Sequence, residues 1–260
     1  MLTFAPLVER PEPDILHEAS RLTRAIDHSG LPLRALGGIA VHLHAHEPLP
    51  PALTRRYEDI DLVCTRKASK ETRRLLLELG YEPNERFNTI NGAHRLVFYD
   101  VLNRRRLDVF VGEFRMCHAV PIADRIELEP HTVPLAELLL TKLQVVRLNE
   151  KDLKDIWSLL LEHDVGDADA ETINAALIAR VLAADWGFWR TSRQTVEQAR
   201  ERLPGSGLGE HEQGLIERRL GRLWERVEDE PKSLRWRSRA KLGERGRWYA
   251  EPEEIAHGVG

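Results

Sequence analysis

The stretch RRYEDIDLV, Arg55 to Val63, constrains the fold most, because it sets two carboxylates at the mouth of an apolar strand. Side chains alternate faces along a strand, so Asp59 and Asp61 point the same way while Ile60, Leu62 and Val63 run into a core. Two like charges at that spacing repel, and burying them without a counter-charge costs on the order of several kcal/mol per ion. The stretch therefore predicts something positive between them. A pair of solvated turn acids at a strand start gives the same letters.

The flanking segments give the strand a context. PEPDILHEASRLTRAIDHSG reads as an amphipathic helix that starts at Asp14 and stops at Gly30. LPLRALGG is a short strand ending in paired glycines, and IAVHLHAH continues as a helix. A proline-rich loop, EPLPPALTRR, leads to the acidic strand. KASKETRRLLLELGY predicts a helix with a glycine stop, followed by strands in RFNTI, HRLVFYDV and RRLDVFVGE, the last two joined by a hairpin at DVLNRRR. After Pro134 the pattern turns helical in LAELLLTKLQVVRLN and EKDLKDIWSLLLEH. ETINAALIARVLAAD, RTSRQTVEQARERL and EQGLIERRLGRLWERVED extend the helices, with PGSGLG as a joint and almost no strand signal.

A third acid lifts the opening pair above coincidence. Asp108 sits among Leu107, Val109, Phe110 and Val111, so it is either an edge residue or part of a site. Three carboxylates on adjacent strands suit hard cations such as magnesium, which takes oxygen ligands and binds substrate phosphates. Two such ions can clamp the attacking and leaving oxygens of an in-line displacement. One strand upstream, Gly37 and Gly38 allow backbone N–H groups and a helix N-terminus to approach a phosphate closely, although a glycine pair is often a plain turn.

The order LGG, helix, DIDL and a later strand acid in LDVF resembles the nucleotidyltransferase superfamily of the DNA polymerase beta type. RRYEDIDLV followed downstream by LAELLLTKLQVVRLNEKDLKDIWSLL is similar, more narrowly, to the AbiEii-type branch, whose members include toxins of toxin–antitoxin systems. The resemblance runs from Leu33 to Leu161. It implies an α+β fold, with a mixed, mostly antiparallel sheet and flanking helices in a core of residues 1–165, and an all-helical region over 166–260. It implies that Gly37 and Gly38 hold the triphosphate, that Asp59 and Asp61 bind metal, and that Asp108 completes the cage or acts as base. Lys142 and Arg147 then lie on a helix facing the nucleotide phosphates, and Asp152 and Asp155 match acids of the following helix. The chain departs from the family pattern at Tyr57, where a small hydroxyl is common, and at Ile39, where threonine is frequent. Both leave the nucleotide preference open.

Several residues also carry local readings. Lys142 interrupts an apolar helix, where a lysine stem can cover the core. Asp152 and Asp155 are three apart and so share a helix face. In HLHAH, which holds His42, His44 and His46, His42 and His46 are spaced to hold zinc on one helix face with Glu47 as a third ligand, but no companion Cys or His motif appears, and a helix behind the glycine turn explains the stretch as packing plus surface. Trp186 and Trp189 can stack a base or join helices. Cys64 and Cys117 read as small buried hydrophobes.

With a formal charge of -4, the molecule as a whole does not attract polyanions, so nucleic acid requires a local patch. One exists between Arg218 and Arg247, where bases outnumber acids and Trp236 and Trp248 interleave. No apolar run approaches the roughly 20 residues of a membrane span, and the first residues lack a signal peptide's pattern, so the expectation is a soluble, cytoplasmic protein with no membrane partner. The expected reaction is transfer of a nucleoside monophosphate from a nucleoside triphosphate to an acceptor hydroxyl, with a two-ion magnesium site in which manganese can substitute. The basic helices favour an RNA or tRNA acceptor, and the AbiEii-type resemblance implies an antitoxin protein as partner. A small antibiotic-type acceptor, or a non-catalytic nucleotide-binding module, is the alternative.

Overall fold

The computed structural model describes residues 10–46 and 48–251, and within it the chain divides into two compact units. The first comprises the chain through His44, Arg56–Phe114 and Pro121–Pro134. The second comprises Ala45–Arg55, Arg115–Val120 and the chain from Leu135 onward.

The first unit is built on a five-stranded sheet. Its strands are β1 (Leu33–Leu36), β2 (Asp59–Cys64), β3 (Glu82–Pro83), β4 (Arg95–Asp100) and β5 (Arg105–Val111), in the order β1-β2-β5-β4-β3. Only the β2–β5 pair is parallel. The sheet is thus mixed and mostly antiparallel, and β5 lies at its centre. β4 and β5 form the expected hairpin, whose turn places Arg104 at φ 53. On one face Leu33, Ala35, Ile60, Leu62, Leu96, Phe98, Leu107 and Val109 are all buried. The outer edge of β1 is covered by residues 131–133, through Ala35 N–H donating to the His131 carbonyl and Val133 N–H to that of Ala35.

Four helices flank these strands: α1 (Ile15–Ser29), α2 (Gly37–His44), α3 (Ser69–Glu78) and α4 (Glu85–Asn91). Asp14 caps α1 by accepting from the Leu16 and His17 amides, and Gly30 ends it in the left-handed region. RFNTI, expected as a strand, lies in α4. Asn84 caps that helix, and the buried Asn88 amide bonds both the N–H and the carbonyl of Val97 on β4. A side-chain tie to the sheet stands where a strand pairing was expected.

Two short strands, β6 (Glu113–Arg115) and β7 (Ala119–Pro121), precede the helical region. That region holds α5 (Leu135–Leu143), α6 (Glu150–Glu162), α7 (Ala175–Ala184), α8 (Trp186–Arg202), α9 (Glu210–Asp229) and α10 (Leu234–Ala240). It is not wholly helical: β8 (Asp164–Gly166) and β9 (Thr172–Asn174) pair in parallel before α7. Ile216, Leu220, Leu223 and Val227 form the buried stripe of α9 at helical spacing. Trp186 and Trp189 are buried helix-joining residues, in contact with Trp248 and Trp236 respectively. Cys64 and Cys117 are free and buried, as expected.

His118 of this second unit stacks on Phe188, with Nε2 2.9 Å from the Thr191 hydroxyl. Burial, only partly opposed by the Asp185 carboxylate, pushes its imidazole down to about 4. The unfolded chain therefore takes up this proton first as pH falls, so stability is complete above the unfolded pKa and declines towards about 4. The loss amounts to about 3 kcal/mol across that window. Denaturant midpoints measured between pH 7 and 4.5 should fall more steeply for the wild type than for His118→Gln; parallel curves would contradict this assignment.

Candidate active site

The acidic face of the sheet is organised by register. Asp61 lies directly opposite Asp108 across the parallel β2–β5 pair, and Asp59 opposite Arg106. Partners in register point to the same face, so three carboxylates share it with the guanidiniums of Arg106 and, from β4, Arg95. Arg106 Nε donates to Asp108 Oδ2 at 2.7 Å, and its Nη2 lies 3.6 Å from Asp59 Oδ2. Arg95, on β4, donates to Asp108 Oδ1 from Nε at 2.9 Å and from Nη2 at 2.8 Å. Burial works against the Arg106 charge, but Asp108, Asp59 and Asp61 outweigh it and hold the guanidinium above its ordinary range. The cation predicted between Asp59 and Asp61 is thus supplied, in part, by a side chain.

The three acids differ in environment. Asp108 is fully buried on the central strand, with each oxygen accepting from an arginine, whereas Asp59 is exposed and Asp61 half-buried. Both Asp108 oxygens are engaged by guanidinium groups. Asp59 and Asp61 are the accessible oxygen donors.

Gly37, at the junction of β1 and the first turn of α2, lies beside this cluster at φ 70, and a Cβ built on it would lie 2.4 Å from Asp61 Oδ2. Only glycine fits, both for the backbone conformation and for the carboxylate pressed against it. Gly38 follows, half-buried, in the first turn of α2. All-oxygen donors gathered around a positive charge, in a cradle that a Cβ would fill, fit a hard divalent cation.

The histidines of HLHAH separate. His42 meets the Tyr57 ring at 5.7 Å, and His44 Nε2 lies 2.7 Å from the Thr132 hydroxyl. His46 lies beyond the end of α2, so it shares no helix face with His42. Glu47 lies outside the described residues.

Against known families, residues 12–164 match the one described as uncharacterised nucleotidyltransferase, over more than half of the chain. The chain belongs to this nucleotidyltransferase family. Among solved structures it is similar to an antigenic nucleotidyltransferase-like protein from Paracoccidioides brasiliensis, at 15% identity and a TM-score of 0.41 over 86% of this chain and 96% of that one. No curated protein matches the chain. The protein is therefore a nucleotidyltransferase with an α+β fold. Among the described residues no helix is long and apolar enough to cross a membrane.

The family match ends close to residue 165, where the sequence divides the chain, but the compact units divide elsewhere: α5 and α6 of this nucleotidyltransferase belong to the second. There Asp155 is the centre of a buried network. It accepts from Arg55 through Nε–Oδ1 at 2.7 Å and Nη2–Oδ2 at 2.9 Å, and pairs with Lys142 Nζ at 2.7 Å. Burial disfavours the Lys142 charge, yet Asp155 and Asp152 raise its pKa. Asp155 is lowered on balance, because Lys142 and Arg55 overcome its own burial. Asp152, 3.8 Å from Lys142, is raised by burial and completes a capping box with Asn149 at the start of α6. Asp152 and Asp155 do share a helix face, and it is turned to Lys142. Arg147 lies past the end of α5, contrary to the helical placement expected.

The basic tail is partly spoken for. Arg219 and Arg222 bond the carbonyls of Leu160, Leu161 and Val165, and Arg239 those of Gly243 and Gly246 while lying over Trp186. Arg235, Arg237, Lys241, Arg245 and Arg247 are exposed, but Trp236 and Trp248 pack against Trp189 and Trp186 instead of offering open faces for bases.

Replacing Asp155 with alanine leaves Lys142 and Arg55 without their shared carboxylate. Removing one partner from a buried ion pair costs about 3–5 kcal/mol. Chemical denaturation should register a loss of that order; a change below about 1 kcal/mol would show the network to be solvated.

Proposed function

We propose that residues 1–165 form a metal-dependent nucleotidyltransferase core that moves a nucleoside monophosphate from a nucleoside triphosphate to a hydroxyl of RNA or tRNA. The observation that carries this reading is the register of Asp61 against Asp108, with Asp59 on the same face and a cation already drawn to the cluster. In the proposal Asp59 and Asp61 hold magnesium, or manganese in its place, and Asp108 completes the cage. When bound, two such ions supply Lewis-acid stabilisation of the attacking and leaving oxygens.

The chain's own residues do the rest. Gly37 leaves Asp61 its position, and with Gly38 it opens the turn into α2 to the triphosphate. A cation held at Asp59 would release Arg106 from that carboxylate, leaving the guanidinium, still beside Asp108, to meet the developing phosphate charge. Arg95 keeps Asp108 oriented throughout. The nucleotide-binding roles of Lys142, Arg147 and Asp152 rest on the family pattern, and Lys142 enters the proposal as a pair with Asp155 instead of as a lone cation.

The RNA acceptor is supported by the exposed bases Arg235, Arg237, Lys241, Arg245 and Arg247 in a chain that is acidic overall. The toxin role, with its antitoxin partner, rests on the AbiEii-type resemblance alone. Incubating the protein with each labelled triphosphate, magnesium and total RNA should label RNA, and Asp61→Asn should lower the yield about a hundredfold or more while leaving the fold intact. Each base that contacts phosphate adds about 0.7 to the salt slope of single-strand binding. Neutralising Arg235, Arg237, Lys241 and Arg245 together should therefore flatten that slope by up to about 3. Label confined to small molecules, with an unchanged slope in the four-fold variant, would give the acceptor site to an antibiotic-like compound.

A further inference from the structure

The second unit brings together three side chains that the transfer reaction does not use. His46 follows α2, His163 caps the end of α6, and Glu171 sits immediately before β9. Their ligand atoms all lie within 4.8 Å of one another. His46 Nε2 is 3.0 Å from Glu171 Oε2, and the His46 and His163 rings meet edge to face at 5.2 Å. His163 is buried, whereas the side chains of His46 and Glu171 are 57% and 76% exposed.

We propose that His46, His163 and Glu171 form a zinc-binding site separate from the acidic face of the sheet. Two imidazoles and one carboxylate are a ligand set for zinc and related transition metals, not for magnesium, which prefers oxygen throughout. Zinc with bonds of about 2.1 Å in tetrahedral geometry sets its ligand atoms about 3.4 Å apart. The His46–Glu171 pair stands at 3.0 Å, and with all three ligand atoms within 4.8 Å of one another closure requires an approach of at most about 1.4 Å towards His163. The two exposed side chains are free to make it, while burial fixes the third as an anchor. Three protein ligands leave the fourth position to water.

His46 lies more than a hundred residues from His163 and Glu171, and the ion would tie the stretch after α2 to the end of α6 and the β8–β9 turn. Glu171 sits at φ 50, in the left-handed region that a glutamate rarely adopts, and this conformation presents its carboxylate beside His46. The competing explanation is a His46–Glu171 ion pair that recruits no metal.

Full-length protein stripped with chelator and titrated with zinc sulfate against a chromophoric competitor distinguishes the two. The site predicts one equivalent of zinc bound in the presence of excess magnesium, with affinity lowered about tenfold or more by His46→Ala and by Glu171→Gln. Both replaced residues are exposed, so their loss leaves the fold in place. Asp61→Asn, on the sheet, should leave this equivalent untouched, so failure here and failure of the transferase reading appear in different variants. No bound equivalent, or equal affinity in wild type and His46→Ala, would reduce the cluster to an ion pair.

Discussion

The constraint on which the first unit depends is charge balance on a partly buried sheet face. Asp61 and Asp108 stand in register on adjacent parallel strands, and Asp59 lies two residues from Asp61. Left alone, three carboxylates there would repel and oppose the very pairing that gathers them. Arg95 and Arg106 satisfy Asp108, and Arg106 extends towards Asp59. The glycine at position 37 then becomes a requirement, because any side chain there would occupy the space of the Asp61 carboxylate. Strand order, turn and charge are solutions to one electrostatic problem.

The same logic recurs in the second unit with a different outcome. There a buried Asp155 is saturated by a bidentate arginine and a lysine that are themselves only slightly exposed. Such a network favours one packing of α5 against α6, and offers solvent little to exchange. The sheet cluster is the reverse case, with Asp59 exposed and Arg106 bridging at only 3.6 Å. The loose contact of Arg106 with the open Asp59 carboxylate is the one that a metal cation can replace, while the bond to Asp108 at 2.7 Å keeps the guanidinium beside the cluster. This contrast is the physical reason for placing the chemistry at Asp59 and Asp61.

Much of this was legible in the sequence, because period-two alternation is a strong signal. Asp59 and Asp61 on one face, the β4–β5 hairpin, the capped α1 and the family pattern all follow from local residue order. Register is not local: nothing in either strand says that Asp61 meets Asp108 instead of a neighbour. Arg106 had a signal, two residues before Asp108 and hence on its face, but in DVLNRRR it reads as part of the hairpin connection. RFNTI misled because Phe, Thr and Ile favour strands, while the Asn84 cap and the Asn88 tie to Val97 favour a helix. The sequence paired His46 with His42, but the structure sets His46 beside residues that local spacing does not point to. His163 and Glu171, the partners of His46, lie more than a hundred residues away.

In the proposed reaction Asp59 and Asp61 accept a divalent cation as Arg106 gives way. Anomalous diffraction from crystals grown with manganese and a non-hydrolysable triphosphate tests it most directly. The account predicts density about 2.1 Å from carboxylate oxygens of both aspartates, with the Arg106 guanidinium withdrawn from Asp59. A bound triphosphate with Arg106 still bridging Asp59 and Asp108, and no anomalous density at the cluster, would contradict it.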